Sequence, residues 1–328
     1  MRNNGRIICV ASHNIMDGLY LEKLLCHYRA LKRKVSKIPL VLCIQENVIF
    51  DSSLSETKEA SDLNSAADVI SHTLSYACDK NSHTDRKNDA ADSVAYQSQH
   101  FQNETSVDSR LSTIYDSSLL KLIDKKTMYL PKLSHLSILN RLAGFRIEEK
   151  TALVTKFKLR DNVAIPETQI QDQGETKHAS SCPLNSKKTF TVVNFHLDAA
   201  GNNEHRTMQF QKMADDIDED EPFVLCGDTN LFTFFPKSKQ QLLLDKMIEP
   251  ISSKTGAVVI GDYNKPTHFF SRANEPKLGH QIVYQLGKLG LDVPGCYDVL
   301  ISNMSEESFG QIDTPDSDHN LVYANLRL

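Results

Sequence analysis

Short apolar runs rich in β-branched side chains recur along the chain, separated by stretches whose apolar positions follow a helical spacing. RIICVAS reads as a buried strand that ends at His13-Asn14. After it, Leu21, Leu24, Leu25, Tyr28 and Leu31 recur at helical spacing, with Lys and Arg on the other face. Pro39 opens a second buried strand, IPLVLCIQENV, which runs into Gln45-Glu46. Leu63, Ala67, Ile70 and Leu74 predict another helix. From about 79 to 110 the periodicity disappears, and the Asn, Ser, Asp, His and Gln content predicts a disordered polar insert. STIYDSSLLKLIDKKTMYLPKL predicts strand, turn and strand; SILNRLAGF predicts a short helix; KTALVTKFKLR alternates like a strand. A polar loop at about 161–188 precedes TFTVVNFHLDA, a strong strand. HRTMQFQKMADDI then predicts a helix, PFVLCGDTN a strand running into a polar turn, and LLLDKMIEPI a helix. PGCYDVLISN is a further strand, and TPDSDHNLVYANLRL is a polar loop with a closing strand. Strand runs apolar on both faces that alternate with helices imply helix-covered sheets, an α/β or layered α+β domain. One domain over 1–328 is expected.

Composition narrows this little. The 328 residues are 40% hydrophobic and 24% charged, which excludes collagen, coiled-coil and membrane classes. The formal net charge is -5, but it is unevenly spread. Residues 51–110 hold eleven acids against five bases, and DDIDEDE at 215–221 holds six more acids. The rest of the chain is mildly basic, so the acidic average does not exclude a phosphate-bearing partner. Lys32, Arg33, Lys34, Lys37, Lys121, Lys125 and Lys126 either track a phosphate backbone or form solvated faces. The seven cysteines include no CxxC pair and read as free thiols of a reducing compartment. No 18-residue apolar stretch exists, and the apolar run at the start is too short for a signal peptide. A monomeric intracellular protein, cytoplasmic or nuclear, is expected.

The informative feature is where polar residues interrupt the apolar runs. Asn14, Glu46, His196, Asp228 with Asn230, and Asp298 stand in or at the ends of five strands, and Asp318-His319 precede the closing one. Taken singly, each has a structural reading: Asn14 as a turn or helix N-cap, Glu46 as a solvated strand end, His196 as a half-buried histidine, Asp228 as a turn residue. Taken together, carboxylates, an amide and two imidazoles on one rim suit metal-assisted phosphate chemistry.

In this order, SHN (12–14), QE (45–46), NFHLD (194–198), GDTN (227–230), YDVL (297–300) and SDH (317–319) resemble the endonuclease/exonuclease/phosphatase superfamily with the DNase I-like fold. The resemblance spans almost the whole chain. It implies a four-layered sandwich, two mainly antiparallel β-sheets face to face with helices outside. It also implies Mg²⁺, with Mn²⁺ as an alternative, held by Glu46 with Asn14 and Asp318. By the same resemblance Asp228 orients or deprotonates the attacking water, and Asn230 holds that water or a phosphate oxygen. His319, paired with Asp298, contacts the scissile phosphate, and His196 stabilises the pentacovalent phosphate or protonates the leaving oxygen. Arg206 and Gln209 complete an HL...R..Q pattern in which Arg206 is a phosphate or a structural contact.

His13 departs from the aromatic residue that often precedes the first Asn, and the region between Glu46 and His196 is poorly matched. The motifs look most like the tyrosyl-DNA phosphodiesterase 2 and deadenylase side, which implies a phosphodiesterase acting on nucleic acid. A phosphatase or a sphingomyelinase- or inositol-phosphatase-type hydrolase of small or lipid phosphates is the alternative. A catalytically inactive interaction protein on the same fold is a third. LFTFF at 231–235 reads as core, as a base-stacking platform or as a membrane-facing segment.

Overall fold

The computed structural model describes residues 6–16, 21–35, 38–47, 65–81, 101–106, 110–142, 145–160, 189–231, 237–262, 265–269, 272 and 295–328. Two six-stranded sheets pack face to face. The first contains β1 (Ile7–Asn14), β2 (Leu40–Gln45), β3 (Phe101–Ser106), β4 (Leu111–Asp116), β11 (Ser305–Ile312) and β12 (Leu321–Arg327), in the order β11-β12-β1-β2-β4-β3. The second contains β5 (Leu120–Tyr129), β6 (Thr151–Leu159), β7 (Thr189–His196), β8 (Phe223–Asp228), β9 (Val258–Ile260) and β10 (Asp298–Ser302), in the order β5-β6-β7-β8-β10-β9. Helices α1 (Leu21–Lys34) and α2 (Ala66–Asn81) cover the first sheet, and α4 (Asn203–Asp216) and α5 (Lys237–Thr255) cover the second. The short α3 (Ile138–Leu142) precedes β6.

The strands sort their side chains by the two-residue period of a pleated strand. Ile8, Val10, Val41, Cys43, Phe190, Val192, Val224, Cys226 and Leu300 fill the core between the sheets. Their neighbours Cys9, Ala11, Leu40, Leu42 and Ile44 pack against α1 and α2. Phe195, Phe223, Leu225, Val299 and Ile301 pack against α4 and α5. Both faces of the central strands are therefore buried, which explains their near-continuous apolar runs.

Each sheet contains one parallel pair, β1 with β2 and β7 with β8, joined through α1 and α4. The other pairs are antiparallel. The parallel strands end at Asn14, Gln45, His196 and Asp228. Asp298, the first residue of β10, stands opposite Asp228 in the antiparallel register. The C-terminal ends of both crossover units thus share a rim with the start of β10.

Toward that rim the intersheet rows change from apolar to polar, and the polar residues join the sheets. The Gln45 amide nitrogen donates to Asn194 Oδ1 at 2.7 Å and to Ser12 Oγ at 3.1 Å. Asn194 in turn donates to the carbonyls of Ile44 at 3.1 Å and Ser112 at 2.9 Å. All three side chains are fully buried.

Within the expected insert, residues 79–81 belong to α2 and Phe101–Ser106 pairs with β4 as the edge strand β3. The sequence FQNETS carries no apolar row that would announce a strand. The rest of the expected insert and the loop at 161–188 lie outside the described residues.

Gln45→Leu keeps the volume but leaves Asn194 Oδ1 buried without its donor. A loss of about 1–3 kcal/mol is expected in urea denaturation; an unchanged midpoint would show that the cross-sheet bond contributes nothing.

Candidate active site

Asp228 is the hub of the rim. Its Oδ2 accepts from the Asn14 amide at 3.2 Å and lies 3.8 Å from His196 Nε2 and 3.6 Å from His319 Nε2. Its Oδ1 accepts the Asn230 backbone N–H at 2.7 Å. Asn14 also donates to Glu46 Oε1 at 3.2 Å, and His196 Nε2 stands 3.9 Å from the same oxygen. His319 Nδ1 bonds Asp298 Oδ2 at 2.8 Å. Asp318 Oδ1 is 4.0 Å from His319 Nε2. The structure therefore gathers Asn14, Glu46, His196, Asp228, Asp298, Asp318 and His319 in one place.

The GDTN turn shows why each type stands where it does. A Cβ on Gly227 would lie 1.9 Å from the Phe195 carbonyl oxygen of the paired strand β7, so only glycine lets β7 and β8 approach. Thr229 Oγ1 bonds the Tyr297 carbonyl at 3.0 Å and Asn230 Nδ2 bonds the Leu197 carbonyl at 2.8 Å. These contacts tie the turn to the chain ends beside it. Glu46 and Asn230 both have positive φ, 56° and 49°. Such backbone strain is concentrated at functional sites, and here it turns Glu46 out of the strand period that buries Gln45.

Electrostatics separates the two histidines. Burial alone would push His319 down, but Asp298, Asp228 and Asp318 raise it well above the ordinary histidine value. It is therefore an imidazolium at neutral pH. His196 goes the other way: burial, with Lys150 nearby, lowers it to about 3 against the pull of Asp228. Burial would raise Asp228, yet His319, His196, the Asn230 N–H and the Asn14 amide hold it below the ordinary carboxylate value. Asp318 is likewise lowered against burial, chiefly by His319.

The donor set fits a hard divalent cation. Glu46, Asp228 and Asp318 offer carboxylate oxygens, and Asp318 Oδ1 is buried without a hydrogen-bond partner. The group of His, Cys, Asp and Glu side chains found close together among the described residues, with ligand atoms within 4.8 Å, is His268, Asp318 and His319. It shares only Asp318 with the set expected from the sequence.

The structure also gives the partners of the other expected residues. Asn14 presents its amide nitrogen, not its oxygen, between Glu46 and Asp228, and its Oδ1 accepts the Met16 N–H at 3.0 Å. It organises the carboxylates. The Asn230 amide donates to the Leu197 carbonyl. Arg206 is buried, and its guanidinium donates to Asn203 Oδ1 at 3.4 Å and the Ala199 carbonyl at 3.2 Å, bracing the loop after β7. Gln209 accepts from the Asp198 N–H at 3.3 Å in that loop. Lys32 is neither solvated nor a phosphate contact; it forms a buried ion pair with Asp116 at 3.3 Å. Leu231 is core, and 232–235 lie outside the described residues. His13, the departure from the family pattern, is fully buried, bonds the Tyr28 hydroxyl at 2.7 Å and reaches the His319 carbonyl at 3.3 Å. It fastens the SDH turn to α1. Reasoning from sequence missed His268 altogether, since a lone histidine after Pro266-Thr267 carries no period and no motif.

No family model matches the chain, and no curated protein matches its sequence. Solved structures do match its fold. An endonuclease/exonuclease/phosphatase from Bacteroides vulgatus superposes with a TM-score of 0.54 at 13% identity, covering 98% of this chain and 99% of that one. D. rerio TDP2, complexed with single-strand DNA product, superposes with a TM-score of 0.51 at 12% identity, covering 98% and 99%. A mannosyl-6-phosphatase from Bacteroides thetaiotaomicron gives 0.51 at 12% identity, covering 98% and 100%. The fold is that of the endonuclease/exonuclease/phosphatase proteins, a DNase I-like α/β sandwich. Among the described residues no helix is long and apolar enough to cross a membrane.

The lowered His196 has a consequence for stability. Between its ordinary value of 6.5 and its folded value of about 3, the unfolded chain binds a proton that the folded chain does not. Stability contributed by this group is lost as pH falls through that window, at about 1.4 kcal/mol per pH unit. Urea denaturation in EDTA should show that slope reduced by one proton in His196→Gln; an undiminished slope would mean that the folded imidazole protonates freely.

Proposed function

We propose that this chain is a divalent-metal-dependent phosphodiesterase that hydrolyses nucleic acid by in-line attack of an activated water. The observation that carries the reading is the single Asp228 carboxylate shared by Asn14, His196 and His319. Glu46 and Asp318 would hold Mg²⁺, or Mn²⁺, which when bound supplies a Lewis-acid contact to phosphate oxygen and offsets the carboxylate charge. Asp228, ionised and fixed by the Asn230 N–H, orients the water and accepts its proton. The His319 imidazolium turns Nε2 toward the reacting phosphate while Asp298 holds its Nδ1–H. His196, neutral, lends an N–H to the charge that develops on phosphorus, a role that replaces proton donation to the leaving oxygen.

Support for a phosphoester substrate comes from the neighbours that share the fold, whose names include a nuclease-type family, a DNA-bound protein and a sugar phosphatase. The fold alone does not choose among them. The motif pattern of the sequence favours nucleic acid.

Purified protein with Mg²⁺ would be offered single-stranded DNA, RNA, a 5′-tyrosyl oligonucleotide, a sugar monophosphate and sphingomyelin. Turnover of an oligonucleotide is expected, abolished by EDTA and reduced about 10²–10⁴-fold in Asp228→Asn and His319→Gln. Turnover that survives Asp228→Asn or EDTA contradicts the mechanism. Hydrolysis of the sugar phosphate or the lipid alone would overturn the nucleic-acid assignment. No turnover of any substrate, with no cation bound, would make the chain an inactive scaffold.

A further inference from the structure

His268 stands beside the site without a role in the reading above. Its segment, 265–269, is wedged between the chain at 295–298 and the SDH turn. His268 N–H donates to the Gly295 carbonyl at 3.0 Å, and Gly295 N–H donates back at 3.2 Å. Phe269 N–H donates to the Asp318 carbonyl at 2.7 Å, and Asn320 N–H to the Thr267 carbonyl at 2.6 Å. Thr267 Oγ1 accepts from the N–H groups of Tyr297 and Asp298 at 2.9 and 3.0 Å. The backbone of this short segment is thus fixed on both sides by residues that carry the site.

The side chain is equally constrained. The imidazole is 5% exposed and stacks on Tyr297, with ring centroids 4.4 Å apart and planes 8° apart. Its edge meets His319 at 4.6 Å and 70°. In that position Nε2 faces Asp318 Oδ2 at 3.6 Å. The other oxygen, Oδ1, stands 4.0 Å from His319 Nε2 and makes no hydrogen bond.

We propose that His268 is the positioning residue for Asp318: it anchors Oδ2, fixes the rotation of the carboxylate, and leaves Oδ1 aimed into the site for a divalent cation. The inference deepens the proposed function and rests on Asp318 being part of the cation site. The chain of partners runs Asp298–His319–Asp318–His268, so each carboxylate is oriented by an imidazole and each imidazole is locked by packing. A separation of 3.6 Å is longer than a hydrogen bond, and site hydrogen bonds are often long before ligand binds and shorten afterward. Partners of metal ligands that make no metal bond of their own typically change metal affinity or activity 10–100-fold when removed.

Two substitutions separate positioning from packing. His268→Phe keeps the ring against Tyr297 but removes the N–H. His268→Gln loses the stack but places an amide donor near the position of Nε2. Calorimetric titration of Mn²⁺ into the full chain, with circular dichroism to check folding, should show Kd raised about tenfold in His268→Phe. Most of that loss should be restored in His268→Gln. The Mg²⁺ concentration for half-maximal turnover should shift in parallel, with the deficit recovered by raising Mg²⁺. A folded His268→Phe with wild-type Mn²⁺ affinity overturns the proposal and leaves the proposed function intact. So does His268→Gln binding no better than a folded His268→Phe, because the N–H would then not be what matters. If Zn²⁺ binds one to one and both His268→Phe and His319→Gln abolish it, His268 is itself a ligand and the positioning role is wrong. If the wild-type chain binds no divalent cation, the proposed function fails and this inference falls with it.

Discussion

The hydrogen bond from the Gln45 amide to Asn194, buried between the two sheets, is the contact on which the site's geometry depends. Asn14 and Glu46 come from the first sheet, and His196, Asp228 and Asp298 from the second. Apolar rows between sheets tolerate sliding, because dispersion and area burial have little directionality. An amide pair at 2.7 Å does not tolerate it. Asn194 extends the constraint to the Ile44 and Ser112 carbonyls, one strand on either side of the junction between β2 and β4. A fully satisfied buried polar network gives specificity where an apolar contact would give only adhesion. Here that specificity is needed within one strand step of Asn14 and Asp228.

Beyond this junction the rim concentrates negative charge. Glu46, Asp228, Asp298 and Asp318 lie within reach of two imidazoles, and environment gives those imidazoles opposite charge states. Asp298 faces one ring nitrogen of His319 while Asp228 and Asp318 flank the other, so His319 stays protonated. His196 meets Asp228 only at 3.8 Å, has Lys150 in its surroundings, and stays neutral. Two groups of one residue type with different protonation states are what acid–base and electrostatic roles require in one site. A divalent cation would relieve the remaining excess of carboxylate charge.

Much of this was legible in the chain. Rows such as RIICVAS, TFTVVNF and PFVLCGD announced strands buried on both faces, and the polar residues at their ends announced a shared rim. Layer count and strand direction were not legible from periodicity, since a doubly buried strand reads alike in parallel and antiparallel settings; the family resemblance supplied them. The strand Phe101–Ser106 is not legible in the sequence, because FQNETS carries no run of apolar residues. Partners of long or flexible side chains are not legible either: Arg206, Asn230 and Lys32 turn inward to Ala199, Leu197 and Asp116. His268 was invisible because its meaning lies in Tyr297 and Asp318, both remote in sequence.

The most direct test of the account is anomalous diffraction from crystals of the full chain soaked in Mn²⁺. The account predicts a manganese peak bonded to Glu46 and Asp318 on the rim between the sheets, with Asp228 close enough to hold an attacking water. A peak bonded to other residues, or no peak at a concentration that supports turnover, would contradict it.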